Sequence, residues 1–288
     1  MTHLLAFGLG YSARWLARRL ASDAWSITGT SRTDQGAAEI TRAGWQGLVF
    51  DGTARTADVA ASLATATHVL VSIPPDGSGD PALHQYRAEL TAAPCLAWVG
   101  YYSTVGVYGD HAGGPVDEDT PVAPRSERSR RRCVAERQWI DFGAASGKRV
   151  TILRLPGIYG PGRSTIDSLK AGTARRIVKP GHVFNRIHVD DIATATAAAM
   201  AGPTRHAIYN VTDDEPASPE DVIVFAASLL GIPEPPALPF DVTNLSPMAA
   251  SFYGESKRVS NVRLKTDLHV NLRYPTFRDG LRAIAAAG

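Results

Sequence analysis

The sequence predicts an α/β fold: a doubly wound parallel sheet with a smaller C-terminal α/β lobe. Three observations carry this. Short apolar runs alternate with helical patterns from residue 4 onward, the first run ends in a glycine-rich turn, and the second half loosens into Gly- and Pro-rich connectors. Strands separated by helices need right-handed crossovers, which cover both faces of the sheet they build.

The elements follow in order. Leu4-Leu5-Ala6-Phe7-Gly8 reads as a buried parallel strand. Tyr11 to Ala21 carries Trp15, Leu16 and Leu20 at helical spacing, with Arg14, Arg18 and Arg19 elsewhere around it. Further strands are expected at Trp25 to Thr30, at Gly47 to Phe50 before Asp51-Gly52, at Val69 to Ile73 and at Leu96 to Gly100. Helices at Ala54 to Ala66 and Pro81 to Ala92 lie between them, and a helix from about Ser126 to Ala145 precedes a strand at Val150 to Leu155. Gly157 to Phe184 reads as loops with one short helix. Asp190 is expected to cap a strong helix that runs to Met200. Ala207 to Val211 is a further strand, and Gly231 to Pro236 a proline-dense connector. The expected division is a sheet domain over 1–165 plus about 186–212, interleaved with a substrate lobe over about 166–185 and 213–288.

Composition narrows the class. Of 288 residues 44% are hydrophobic and 20% charged, which excludes intrinsic disorder and a coiled coil. No apolar run approaches the roughly 20 residues of a membrane span. Cys95 and Cys133 cannot form a disulfide framework, and neither has a second sulfur at zinc-ligand spacing. The start of the chain lacks the basic residues and apolar core of a signal peptide, so a reducing cytoplasm is expected. Thirty Lys+Arg against 28 Asp+Glu give a net charge of +2, which by itself points to no nucleic-acid partner.

Gly8-Leu9-Gly10-Tyr11-Ser12-Ala13 lies between the first strand and the first helix and has the G-x-G-x-x-A form of a dinucleotide fingerprint. Gly8 makes the tight turn, Gly10 admits the pyrophosphate to the backbone, and Ala13 lets helix pack closely on strand. The amides at the helix start then face the phosphates. An NAD site expects a carboxylate about 20 residues on, at the end of the second strand. Here Thr30-Ser31-Arg32-Thr33 stands instead. Arg32, with Ser31 or Thr33, suits a 2′-phosphate and favours NADP over NAD; the alternative is a solvated Arg32 with Asp34 on the ribose.

Three more segments stand out: Ser103-Thr104-Val105-Gly106-Val107-Tyr108-Gly109, Arg154-Leu155-Pro156-Gly157-Ile158-Tyr159-Gly160-Pro161-Gly162, and Ile187-His188-Val189-Asp190-Asp191-Ile192-Ala193. With the fingerprint, Tyr209-Asn210-Val211 and Lys257-Arg258, they span nearly the whole chain in an order that resembles the NAD-dependent epimerase/dehydratases, or extended short-chain dehydrogenases/reductases. The resemblance implies a Rossmann-type domain and a C-terminal lobe that usually serves nucleotide-sugars or related small molecules. It implies Asp51 and Gly52 near the adenine, Ser72, Ile73 and Pro74 along the cofactor backbone, and Pro156, Gly157 and Ile158 beside the nicotinamide. Thr104 would hydrogen-bond the reacting oxygen, or else cap a turn as strand-end hydroxyls often do. Tyr108 and Arg186 are the substrate-side candidates.

The chain departs from that pattern at two places. The family's catalytic Tyr-x-x-x-Lys pair sits on one helix face, where the cation lowers the phenol's pKa. Arg128 and Arg132 occupy those positions, and an arginine with a pKa above ~12 is no general acid or base. Tyr101, Tyr102, Tyr108, Tyr159, Asp110, His111 and Glu127 are the nearby titratable alternatives, among which the sequence does not choose. The second departure is Phe184-Asn185-Arg186, where many relatives carry Arg-Asp-aromatic to hold a substrate phosphate.

Arg125, Arg128, Arg130, Arg131, Arg132 and Arg137 crowd the same predicted helix. A solvated face neutralised by Glu127 and Glu136 accounts for most of them; Arg128 and Arg132 could instead clamp an anion. His182, His188, Asp190 and Asp191 have no metal-ligand spacing, so no metal is expected. Two functions stay open. One is an NADP-dependent oxidoreductase or epimerase acting on a small, anionic or sugar-like substrate through a non-standard proton-transfer group, with Thr104, Arg128 and Arg132 at its centre. The other is a catalytically inactive NADP-binding sensor or partner protein. The expected partner is a small molecule, not nucleic acid or a membrane, and the resemblance allows a homodimer.

Overall fold

The computed structural model describes residues 2–21, 25–245, 250 and 252–287. In chain order the elements are β1 (His3–Phe7), α1 (Tyr11–Ala21), β2 (Ser26–Ser31), α2 (Asp34–Arg42), β3 (Gln46–Val49), α3 (Ala57–Thr65), β4 (His68–Val71), α4 (Pro81–Ala92) and β5 (Trp98–Thr104). A 3-10 turn (Val105–Tyr108) and β6 (Pro115–Val116) lead to α5 (Glu127–Ser146), β7 (Arg149–Leu155), β8 (Gly157–Tyr159), α6 (Thr165–Lys170), β9 (Arg176–Val178) and β10 (Arg186–His188). The rest is α7 (Val189–Ala201), β11 (Ile208–Asn210), α8 (Pro219–Leu230), β12 (Ala237–Pro239), β13 (Arg258–Val259), α9 (Val262–Asp267) and α10 (Phe277–Ala287). Two compact units share them: Met1–Thr104, Glu127–Arg154 and Ala193–Tyr209 form the first, and Val105–Ser126, Leu155–Ile192 and Asn210–Gly288 the second.

Residues 105–126, 155–165 and 186–192, expected in the sheet domain, belong to the second unit, while the first unit is a Rossmann-like α/β domain. Its 7-stranded sheet has the order β11-β7-β5-β4-β1-β2-β3. β1 pairs in parallel with both β2 and β4, β2 with β3, and β4 with β5. Every residue of β1 is buried, so both faces are covered, as a continuous apolar run requires. Leu5 and Phe7 join Val69, Val71, Val99, Tyr101 and Ile152 in one core with α3, α4 and the α5 residues Ala135, Trp139 and Phe142. The chain winds outward from β1 on one side and from β4 on the other. Open α/β sheets bind ligands at the carboxyl ends of the strands at such a switch point.

The second unit has its own core. Tyr159, Ile166 and Leu169 pack with Val222, Ile223, Ala226 and Ala227 of α8 and Phe277, Leu281 and Ile284 of α10. Three two-stranded parallel pairs, β8 with β10, β9 with β12 and β6 with β13, tie its segments together. Two expectations are corrected here. The 157–184 stretch, read as loops with one short helix, also holds β8 and β9, which are too short to show a period. Asp190 is not a cap: the helix begins one residue earlier, and Asp190 sits in its first turn with an ion pair to Arg273 at 3.0 Å. The proline-dense connector behaves as expected, since α8 ends at a left-handed Gly231 with φ +63° before the prolines. Among the described residues no helix is long and apolar enough to cross a membrane.

Candidate functional site

In the first unit the β1–α1 turn is built as the fingerprint requires. Gly8 has φ +84°, and a Cβ there would lie 2.7 Å from Ile73 Cγ2. The turn therefore touches the Ser72–Pro74 segment that follows β4. Around Gly10, by contrast, nothing lies within 4 Å of where a Cβ would stand, so a ligand can approach the backbone at the start of α1. Thr30 Oγ1 accepts the Gly8 N–H at 2.9 Å and fixes the turn to β2. Ser12 and Ala13 are buried, and Tyr11 opens the helix. These residues fit a dinucleotide's phosphates: an open glycine, a fixed turn and the amides of a helix start.

At the end of β2, Thr33 Oγ1 accepts the Gly36 N–H at 3.1 Å and caps α2, which leaves Ser31 and the exposed Arg32 as the polar side chains of that strand end. Asp34 is exposed in the first turn of α2, where its charge suits the helix dipole. Asp51 Oδ1 accepts from both the backbone N–H and the hydroxyl of Thr53, each at 2.8 Å, which holds its carboxyl below the usual range. Gly52 follows with φ +93°.

β5 and α5 place the residues expected to do chemistry. Strand alternation puts Tyr101 and Ser103 toward α5, and Tyr102 on the opposite face, where its hydroxyl meets Thr196 Oγ1 of α7 at 2.9 Å. Thr104 is the last, half-buried residue of β5. Arg128 is exposed in the first turn of α5. Arg132 is occupied: its Nη1 donates to the Tyr101 hydroxyl at 3.0 Å and to the Tyr102 carbonyl at 2.6 Å.

One turn further on, Glu136 forms a buried network. Arg154 donates to it through Nε and Nη2, the latter at 2.7 Å, and the Ser103 hydroxyl donates at 2.5 Å. This corrects the reading of Glu136 as a counterion for a solvated arginine face: it is 4% exposed and pairs with β7. Arg125 likewise lies before the helix, not on it, and pairs with Asp110 at 3.2 Å in the second unit. Glu127 does pair on the surface with Arg130 and Arg131, at 3.0 and 3.1 Å. Sequence reasoning missed Glu136, although Arg128, Arg132 and Glu136 share one face at i, i+4 and i+8.

None of the perturbed phenols offers a tyrosinate. Burial pushes Tyr101 up, with Asp80 and Glu136 adding to it and Arg132 opposing. Burial also raises Tyr102 and Tyr159. Asp80 caps α4 by accepting the Leu83 N–H at 3.0 Å, an Asp-Pro helix start readable in the sequence, and burial raises its carboxyl to about 6.

In the second unit Tyr108 is fully buried and donates to Asn210 Oδ1 at 2.8 Å. Gly157 and Ile158 belong to β8, directly after Pro156, and pair with Arg186 and Ile187 of β10. Gly157, Ile158 and Arg186 line one cavity of about 540 Å³, together with Tyr159, Arg163 and Asp167. Asp167 closes a capping box with Ser164, a Ser-x-x-acid signature readable in the sequence. Asn185 is buried, its side chain donating to the Lys257 carbonyl at 3.0 Å and accepting the Val259 N–H at 2.9 Å. His182 and His188 are both pushed down to about 4 by burial. Among the described residues no group of His, Cys, Asp and Glu could hold a metal.

Comparison with known proteins agrees with this architecture. The model of the NAD dependent epimerase/dehydratase family matches residues 90–212. A functionally unknown conserved protein from Silicibacter pomeroyi DSS superposes with a TM-score of 0.89 and 48% identity, covering 100% of this chain and 99% of that one. Protein YeeZ of Escherichia coli (strain K12) is 28% identical over 96% of this chain and 97% of its own. A 3-diazoavenalumate denitrifying reductase from a Streptomyces species is 32% identical over 59% of each chain. With the fold, the glycine turn and the ordered segments alongside that match, the chain belongs to the NAD-dependent epimerase/dehydratase family.

Proposed function

We propose that this protein is an NADP-dependent oxidoreductase that transfers hydride to or from a small anionic substrate without a tyrosine acid/base. The single observation behind it is the β1–α1 turn, with open space at Gly10 and the exposed Arg32 where an NAD site would carry an acid. Gly8, Gly10 and the amides of Tyr11, Ser12 and Ala13 would hold the pyrophosphate, Ser31 and Arg32 the 2′-phosphate, and Asp51 and Gly52 the adenine end. Ser72, Ile73 and Pro74 would follow the backbone of the cofactor, with Pro156, Gly157 and Ile158 at its reactive ring. When bound, the nicotinamide supplies the hydride chemistry; the protein orients it and stabilises charge.

Thr104 would donate a hydrogen bond to the reacting group, and the exposed Arg128 would supply positive charge. Arg132 holds Tyr101 and the end of β5 in place, and so acts on that site through position. A guanidinium stabilises developing negative charge but does not move a proton at neutral pH. That arrangement suits a reaction whose product anion is held electrostatically, or one that creates no alkoxide. A relative named a reductase supports the oxidoreductase reading over epimerisation.

Dinucleotide titration followed by tryptophan fluorescence tests the cofactor: NADP⁺ binds more tightly than NAD⁺, and the reverse order overturns the preference. The second reading, a catalytically inactive NADP-binding sensor, draws on the commitment of Arg132 to Tyr101. NADPH oxidation over a panel of carbonyl and nucleotide-sugar compounds separates the two. Turnover of any of them excludes the sensor; tight NADPH binding without turnover excludes the enzyme.

A further inference from the structure

Arg186 is a cation short of a partner. Its Nη1 donates to the carbonyls of Phe184, at 3.1 Å, and Ala217, at 2.9 Å. Its Nε and Nη2 carry no hydrogen bond to a described residue, and no described carboxylate lies within ion-pair distance. Asp213, itself 1% exposed, acts on it electrostatically, and its Oδ2 is buried without a hydrogen-bond partner among the described residues. Burial raises the Asp213 carboxyl against the opposing pull of Arg186, so desolvation of the acid weakens it as a counterion for the guanidinium. A partly buried charge without a counterion is costly.

The unsatisfied cation lines the cavity of about 540 Å³, a size suited to a small organic ligand. Along that wall Arg163 and Arg186 are positive and Asp167 negative, which leaves one net positive charge. Ile158 and Tyr159 provide an apolar side. The free Nε–Nη2 edge of a guanidinium is the planar two-donor fork that matches a carboxylate. Among the described residues lining that cavity, Arg163 is the one other cation. Phe184 is aromatic where the family resemblance implies a phosphate-holding arginine, and the Asn185 amide is spent on β13 and its preceding residue.

We propose that this cavity binds a small organic monocarboxylate, its carboxylate on the Nε–Nη2 edge of Arg186 and its apolar body against Ile158 and Tyr159, and that it does not take a nucleoside diphosphate. The proposal rests on the function reading above and names the chemical class of its substrate.

Titration calorimetry of the full chain tests it with cinnamate, cinnamamide, benzoate and UDP, with and without saturating NADP⁺. Cinnamate and its amide share a shape and differ in charge, so their comparison on the wild-type protein decides the matter without risk of a folding defect. Cinnamate should bind at least about tenfold more tightly than cinnamamide, a difference of ~1.4 kcal/mol. Arg186→Gln should remove that preference, and Arg186→Lys should keep part of it. Equal affinity for acid and amide overturns the proposal, as does the absence of binding by either carboxylate below about 10 mM. UDP binding more tightly than both carboxylates overturns it too. NADP⁺ titration of the same samples keeps the readings apart: a chain that prefers cinnamate over its amide but binds no dinucleotide sinks the function reading and upholds the pocket.

Discussion

At the scale of single residues, arginines occupy unlike settings. Arg32 is exposed at the end of β2, so replacing it touches recognition without disturbing packing. Arg32→Ala should weaken NADP⁺ about tenfold while NAD⁺ affinity changes less than about twofold, the signature of one charge-assisted contact to a 2′-phosphate. Equal losses for both cofactors in a fluorescence titration would place Arg32 away from the ribose. Arg154 is the opposite case: 3% exposed, its guanidinium is held in an ion pair with Glu136 at 2.7 Å. Glu136→Gln keeps the shape but strands the cation, and removal of one partner from a buried pair costs about 3–5 kcal/mol. Urea denaturation should show a stability loss of that size; a loss below about 1 kcal/mol would mean that Arg154 finds another acceptor or water.

At the scale of elements, the β1–α1 turn separates two duties between its glycines. Gly8 needs its positive φ and its contact with Ile73, so Gly8→Ala should cost about 1–3 kcal/mol of stability whether or not cofactor is present. Gly10 has empty space around it, so Gly10→Ala should leave the melting temperature of the apo protein unchanged and lower dinucleotide affinity at least about tenfold. A stability loss at Gly10 equal to that at Gly8 would show that the open space serves packing and not a ligand. The same turn shows why the sheet domain is legible in the sequence. Its central strands β1 and β4 are buried and read as short apolar runs, and α1 between β1 and β2 displays its period. The second unit hides its order. Its strands have two or three residues, and they pair across separations in sequence that no local pattern records, as Gly157–Tyr159 does with Arg186–His188. The site divides in the same way. The glycines and the Arg128/Arg132 replacement stand in recognisable motifs. The burial of Glu136, and the raised pKa of Asp213, depend on which elements happen to cover them.

At the scale of the whole molecule, buried titratable groups of both signs set how stability depends on pH. His68 in the first unit and His182 and His188 in the second are lowered from the ordinary 6.5 to about 4, in each case mainly by burial. Between those values the unfolded chain binds more protons than the folded one, so stability rises with pH and is lost on acidification through this window. The carboxylates act in the other direction. Asp80 is raised to about 6 and Asp213 to about 8, again chiefly by burial, and Asp191 and Glu118 are raised as well. For these the folded chain holds the extra proton, so stability falls as pH rises toward the folded pKa. Each group that titrates fully in one state only contributes a slope of about 1.4 kcal/mol per pH unit. Three histidines outweigh the two large carboxylate shifts below about pH 6.5, and Asp213 acts against no histidine between there and about pH 8. Thermal denaturation across pH 5 to 9 should therefore peak at about pH 6.5 and decline on both sides. Asp213→Asn removes the group responsible for the alkaline decline, since an amide has no proton to give up on desolvation. Its melting temperature should hold level from about pH 6.5 to 8 while the acid-side loss stays as in the wild type. An unchanged alkaline slope in that variant would mean that Asp213 is ionised in the folded protein and neutralises Arg186, which would also take away the uncompensated cation from the cavity that Arg186 lines.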